Sequence, residues 1–531
     1  MADERLARWG ASRGPSPRLE EPALPSARPA PRPARPPGRR PGVRRFRSAA
    51  ALLIVAALVA TSGSTLSTAP SGPGWASPGL VGGAGWPLVG VPLSPAEGPG
   101  AAYLPDSSVV RLANGQIRLV PSGTETPATV PPGDPQVAAA VRSDNSWLAH
   151  GTVPGSELRL GSAYQHHRSA EEYGDMAKRA LLDLRLLTRP NGASLASWYG
   201  AWRYSWPRDS AFAAAAFTVT EHPAEARRVL RFLARVQHED GLWAARYNAD
   251  GTAVVDGRPP QLDSLGWVLW ASWFYTARAP SPRDLPELWP MVQRAADHLA
   301  HSLDTEGLPP PSSDYWERDH RREQDPRRPT LGVVGPVLAG LRAAAAVADG
   351  YGVRGKAAQW RAAAHRLSDA VARQFTPYGY PRSPVRGGRM DTSVTFLAPP
   401  FAPLDPGVSG AVATAARKQA LPNGGVLPGE RWSGNKLVAW TPETALFALN
   451  AAASGRPDEA LGRLDWLTEH RTTLGALPEK IGERGQPAGV APLGWTASLV
   501  LLTLSALERP LPVLPVDNSP PPQARRPGWR P

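Results

Sequence analysis

Ser264–Ala277 reads SLGWVLWASWFYTA, and Ala224–Gln237, just before it, reads AEARRVLRFLARVQ. The first stretch is apolar on every side of a helical turn. The second sets arginines on one face and Val, Leu and Phe on the other. A helix apolar all round must be buried, whereas an amphipathic one lies at a surface. The contrast recurs between TASLVLLTLSAL (Thr496–Leu507) and GKAAQWRAAAHRLSDAVARQF (Gly355–Phe375). Helical periodicity with capping and breaking signals predicts helices over 169–187, 208–219, 223–237, 262–277, 285–303, 331–350, 354–375, 408–420, 442–453, 457–469 and 493–507. A further one is predicted near 391–398. Roughly six pairs of a buried and a surface helix describe an all-α (α/α)6 barrel over 161–509. An α-solenoid is the alternative, but no fixed-period repeat is visible.

The flanks have a different texture. Residues 1–48 include the Pro/Arg-rich run RPAPRPARPPGRRPGVRRFR (Arg28–Arg47) and read as a disordered basic cytoplasmic tail. They hold twelve arginines against four acids, so most of the +13 net charge belongs to this tail. That placement argues against a nucleic-acid partner for the helical region. Ala49–Ala60 is unbroken apolar sequence, and 49–66 reads as a membrane anchor or a signal segment. Arg44, Arg45 and Arg47 before it orient the amino end inside and the rest of the chain outside. The expected location is therefore a single-pass anchor with the barrel extracytoplasmic, or secretion after cleavage. Residues 67–100 read as a linker, 101–160 as a small β-like segment with an Asn114-Gly115 turn, and 510–531 as a disordered tail. With no cysteine, disulfides and thiolate chemistry are excluded.

Chemistry-bearing residues gather just ahead of the apolar helices. WRYSWPRD (Trp202–Asp209) precedes one, and QLDS (Gln261–Ser264) opens another. PSSDYWERD (Pro311–Asp319) and GALPEKIG (Gly475–Gly482) precede two more. In such a barrel these loops line one central pocket. Glu317 and Glu479 suit acid–base work, because glycoside hydrolysis places two carboxyls across the scissile bond, one protonated and one ionised. An apolar wall at Trp316 is expected to favour the protonated form of Glu317. Tryptophan and tyrosine faces stack on sugar rings, and Arg208 and Asp209 can bond sugar hydroxyls. Candidate substrate contacts are Trp202, Tyr204, Trp206, Arg208, Asp209, Asp263, Trp316 and Trp440. Each has a plainer reading: a solvated glutamate, a helix-start ion pair, a core tryptophan, or, for Asp263, a helix cap. Asp314, Asp319, Glu443 and Glu483 also lie near these motifs, and Asp314 or Asp319 is the next candidate acid after Glu317.

Taken together the motifs resemble glycoside hydrolase family 15, the glucoamylase and glucodextranase family. NGASLASWYGAWRYSWPRDSAF (Asn191–Phe212) resembles the stretch leading to that family's Trp-x-Arg-Asp motif. DGLWAARYNADGTAVVDGRPPQLDSLGWVLWA (Asp240–Ala271) resembles the segment ending in Gln-x-Asp. DYWERD (Asp314–Asp319), GALPEKI (Gly475–Ile481) and APLGWTASL (Ala491–Leu499) resemble the general-acid motif, the general-base motif and the segment that follows. The likeness runs from about Tyr164 to Leu507. It implies the six-hairpin glycosidase type of barrel, with Glu317 as general acid and Glu479 as general base. It also implies that Arg208 and Asp209 hold the terminal glucose, with Trp206 and Trp316 as pocket aromatics. The implied reaction is inverting exo-hydrolysis of α-glucans or oligosaccharides, releasing β-glucose, with no metal or organic cofactor. Departures are Trp202 where members often carry Tyr, Lys480 after the base, Arg318-Asp319 after the acid, and a reduced amino-terminal β-domain. A glycan-binding or envelope scaffold without turnover and a trehalase-type hydrolase are the alternatives.

Overall fold

The computed structural model describes residues 101–515, apart from 122, 123, 125 and 279–284, together with 80, 81, 91–93, 97 and 100. The expected basic tail, the 49–66 segment and residues 516–531 lie outside the described residues, whereas Leu511 and Leu514 of the expected disordered carboxy-terminal tail are buried in the barrel's core. The helices are α1 (Pro135–Ala149), α2 (Ala170–Leu187), α3 (Pro207–Val219), α4 (Pro223–Val236), α5 (Leu262–Arg278) and α6 (Leu285–Ser302). They continue with α7 (Leu331–Gly350), α8 (Arg354–Gln374), α9 (Pro406–Gln419), α10 (Thr441–Ala453), α11 (Pro457–Glu469) and α12 (Gly494–Glu508).

An inner ring closes in the order α12, α3, α5, α7, the 3-10 segment Thr392–Leu397, α10 and back to α12. Helices α2, α4, α6, α8, α9 and α11 each precede one inner element, giving the six outer–inner pairs of an (α/α)6 barrel. The fifth inner position is thus a short 3-10 turn rather than a long helix. Outer α4 buries Ala226, Val229, Leu230, Phe232 and Leu233. Inner α12 buries nearly every residue from Gly494 to Ser505. Helix α7 is long and apolar enough to cross a membrane, yet it is 89% buried as a barrel stave.

Local chemistry sets the ends. Ser169 and Glu172 form a reciprocal capping box at α2, and Asp405 caps α9 ahead of Pro406. Inner staves α5 and α7 cross closely because glycines meet there. A Cβ on Gly266 would lie 2.1 Å from the Pro336 carbonyl oxygen, and one on Gly340 would lie 2.6 Å from the Gly266 Cα. The barrel interior is filled by Phe212, Trp267, Trp270, Phe396 and Phe401 in tilted and edge-on contact, with Phe212–Trp267 centroids 5.0 Å apart.

Residues 101–160 are not β throughout. An antiparallel sheet runs β3 (Ala102–Tyr103), β4 (Val110–Arg111), β5 (Ile117–Leu119), β6 (Ala128–Val130), and then α1 packs against β5. The two-residue strands Leu80–Val81 (β1) and Val91–Pro92 (β2) pair ahead of it. Asp134 caps α1 with Pro135 in its first turn, a start signal that the β-like reading overlooked. This appendage is tied to α2 by buried ions. Arg179 donates to Ser107 O, Ser108 Oγ and Asp183, and Arg185 pairs with Asp144 at 2.9 Å.

Candidate active site

Four loops build one cavity of about 220 Å3 at the end of the inner ring. Trp202, Trp206, Arg208, Asp209, Trp316, Glu317, Trp440 and Glu479 all line it. Arg208 and Asp209 sit in the first turn of α3, after Pro207. Glu317 follows a turn in which the Asp314 carbonyl accepts from its amide at 2.8 Å, and its φ of +53° is left-handed. Such a conformation in a non-glycine residue costs of order 1–3 kcal/mol and is held by its surroundings. Here Asp314 is the anchor: its carboxylate accepts from the Trp316 amide, Thr330 Oγ1 and Arg382. That engagement and its burial make Asp314 a structural group, while Asp319 is taken up by Arg321 at 2.7 Å.

A small sheet sets the opposite wall. Strands β7 (Ala439–Trp440), β8 (Lys480–Ile481) and β9 (Pro487–Ala488) are antiparallel, with Trp440 opposite Lys480. Glu479 enters β8, and its carbonyl accepts from Thr441 N, so α10 begins beside it and brings Glu443 into the cavity wall. Gly489 passes so close that a Cβ there would lie 2.4 Å from Glu479 Oε2, and its φ is +70°.

The two glutamates have unlike surroundings. Glu317 Oε1 accepts from Arg208 at 2.8 Å and from Gln261 at 3.0 Å, and Oε2 accepts from Arg258 at 2.7 Å. Cations therefore hold it, not the apolar wall expected at Trp316. Glu479 is buried, and burial raises its carboxyl above the usual range despite the Lys480 ammonium 3.3 Å away. Glu443 is pushed up to about 8 by burial and then by the charge of Glu479. The expectation that the Glu317 side would be the desolvated one is thus reversed.

Two expected contacts lie elsewhere. Asp263 is fully buried behind Arg208, which it fixes through a 3.0 Å bond to Nη1, and it does not line the cavity. Burial raises its carboxyl to about 7. Tyr204 is also absent from the lining; its ring meets Trp206 edge-on and lies under the Arg246 guanidinium, 4.6 Å away. Arg246 lines the cavity instead. Arg258, Tyr315, Trp432, Glu443 and Trp495 complete the lining residues that the motif reading missed or left unassigned. Glu443 and Trp495 lie in the first turns of inner helices, a positional signal already used for Arg208.

Several buried polar atoms in this wall have no hydrogen-bond partner within the protein: the indole N–H groups of Trp206, Trp316 and Trp495, Glu443 Oε2 and Glu479 Oε2, while Arg208 Nε and Asp209 Oδ2 face each other as an ion pair at 3.4 Å. Buried polar atoms are normally paired, so this clustering marks a site built for a ligand rich in donors and acceptors. Burial also lifts the Asp209 carboxyl to about 6, against the pull of Arg208.

Comparison with known proteins agrees with the barrel. The model of the family described as glycosyl hydrolases family 15 matches residues 186–399. An uncharacterized glycosyl hydrolase of Methanocaldococcus jannaschii is 24% identical over 62% of this chain, which spans 55% of that relative's length. Among solved structures, a glycosidase variant in complex with glucose matches 66% of this chain and 99% of its own, with a TM-score of 0.55 and 20% identity. A bacterial glucoamylase complexed with acarbose matches 71% of this chain and 59% of its own, with a TM-score of 0.55 and 16% identity. Glucoamylase from Saccharomycopsis fibuligera matches 62% and 93%, with a TM-score of 0.51 and 13% identity. The barrel is of the glucoamylase type. The likeness to the family 15 glycosyl hydrolases by family model covers residues 186–399 of this chain.

Proposed function

We propose that the chain is an inverting, exo-acting α-glucoside hydrolase that releases β-glucose from non-reducing ends of α-glucans or oligosaccharides. The observation that carries this reading is the shared cavity. It holds Glu317 and Glu479 together with unpartnered indole N–H groups and the Arg208–Asp209 ion pair. A cavity of about 220 Å3 is below the roughly 300–1,000 Å3 of drug-sized sites and suits one sugar ring. In this mechanism the indoles and the Arg208–Asp209 pair fix the terminal ring. Glu479 takes a proton from the attacking water, and Glu317 gives one to the leaving oxygen. Structural neighbours in complex with glucose and with acarbose support a sugar ligand for this barrel. We further propose that residues 49–66 hold the barrel on the outer side of a membrane, which protease protection of the tail in sealed vesicles tests.

The test is anomeric-proton NMR with maltotriose, isomaltotriose, trehalose and soluble starch. Transient β-glucose, lost in both Glu317→Gln and Glu479→Gln, supports the reading and names the linkage. Turnover of trehalose alone would replace it with trehalase-type hydrolysis. A folded protein that turns over none of them would favour the glycan-binding scaffold. The Arg208 and Arg258 bonds to both oxygens of Glu317 are what favour that second reading.

A further inference from the structure

A second cavity, of about 690 Å3, adjoins the first, and Trp316 and Glu317 line both. Its acids are already spent. Glu317 is held by Arg208 and Arg258, Glu323 by Arg382, and Asp319 by Arg321. Arg382 is likewise occupied, by Asp314, Glu323 and Asp391. Three further lining arginines, Arg318, Arg322 and Arg431, pair with no carboxylate among the described residues. Arg318 is not a loose surface chain: its guanidinium lies 3.8 Å over the Trp432 ring and 5.5 Å from Trp316. Burial, then the charge of Arg382, holds it below its usual pKa against the opposing pull of Glu323. A planar guanidinium fork matches the oxygens of a carboxylate or phosphate.

A general acid protonates the leaving oxygen, so a cavity reached across Glu317 lies on the leaving-group side. We propose that this cavity binds an oxyanion on the leaving group, making the substrate an α-glucoside with an anionic aglycone. The inference rests on the hydrolase reading for the term leaving group, but the anion site itself does not.

Matched alditols and aldonates isolate the charge: maltitol against maltobionate, and isomaltitol against isomaltobionate. The aldonate of the accepted linkage is expected to show at least about tenfold higher kcat/KM at low ionic strength, the advantage shrinking as salt screens it. Arg322→Gln with Arg431→Gln should remove most of that advantage and leave the alditol rate within about twofold. Arg318→Gln is the second variant. Calorimetry with Glu479→Gln reads binding without turnover. Alditol hydrolysis with no aldonate advantage overturns this inference and spares the hydrolase reading. No hydrolysis of either, with aldonate bound about tenfold tighter through the arginines, spares the anion site and overturns the hydrolase reading. Equal binding of both by the protein overturns the anion site.

Discussion

The two walls of the pocket use the same residue type in opposite surroundings. On one wall Glu317 leaves a left-handed turn and is gripped by Arg208, Arg258 and Gln261. On the other, Glu479 lies buried just ahead of a short strand, beside Glu443 and under Gly489. One carboxylate is steered by cations, and the other is desolvated. The comparison shows that two carboxyls of one pocket are differentiated by what surrounds each, not by the residue chosen.

The sharpest way to break the comparison is to neutralise each side in turn. Glu479→Gln should lower kcat by about 10²–10⁴ on every glucoside. Glu317→Gln should do the same on natural sugars but recover much of the rate on an aryl α-glucoside, whose leaving group needs no proton. Equal losses on both substrates would refute the assigned roles. Arg208→Met tests the cationic wall. It leaves Asp263 buried and unpaired, and breaking such a pair costs about 3–5 kcal/mol. The fall in urea midpoint measures it, and a change under 1 kcal/mol would show that Arg208 does not organise this wall.

A smaller effect tests the desolvated wall. Burial raises the Glu443 carboxyl from 4.5 to about 8, so the folded protein binds more protons than the unfolded chain between these values. Stability from this group is therefore full below about pH 4.5 and is lost as pH rises through about 8. Glu443→Gln should flatten that decline in Tm, and an unchanged slope would count against the pairing with Glu479. Smallest is Gly266→Ala, away from both walls. The new methyl meets the Pro336 carbonyl, an overpacking that costs about 1–3 kcal/mol by thermal melting. No loss would mean that the staves separate freely.

Much of this was legible in the chain. The alternation of wholly apolar and amphipathic helices announced the ring. Trp206, Arg208, Glu317 and Glu479 stand out because each sits just ahead of, or in the first turn of, an inner helix or its feeding loop. Arg246, Arg258 and Trp432 were not legible as lining residues: the first two lie inside the Asp240–Ala271 stretch but away from its Gln-x-Asp end, and all three reach the pocket only when the chain closes. Asp263 and Tyr204 do not line the cavity for a related reason: sequence proximity to a motif does not say which side of Arg208 or Arg246 a side chain occupies.

By itself the sequence determined the periodicity, hence which helices must be buried, and the residue types available at their starts. Tertiary structure alone decided which carboxyl is desolvated and which is held by arginines. Burial and charge pairing arise from groups remote in sequence, such as Arg258 on Glu317 and Glu443 beside Glu479, and only the closed barrel brings them within reach.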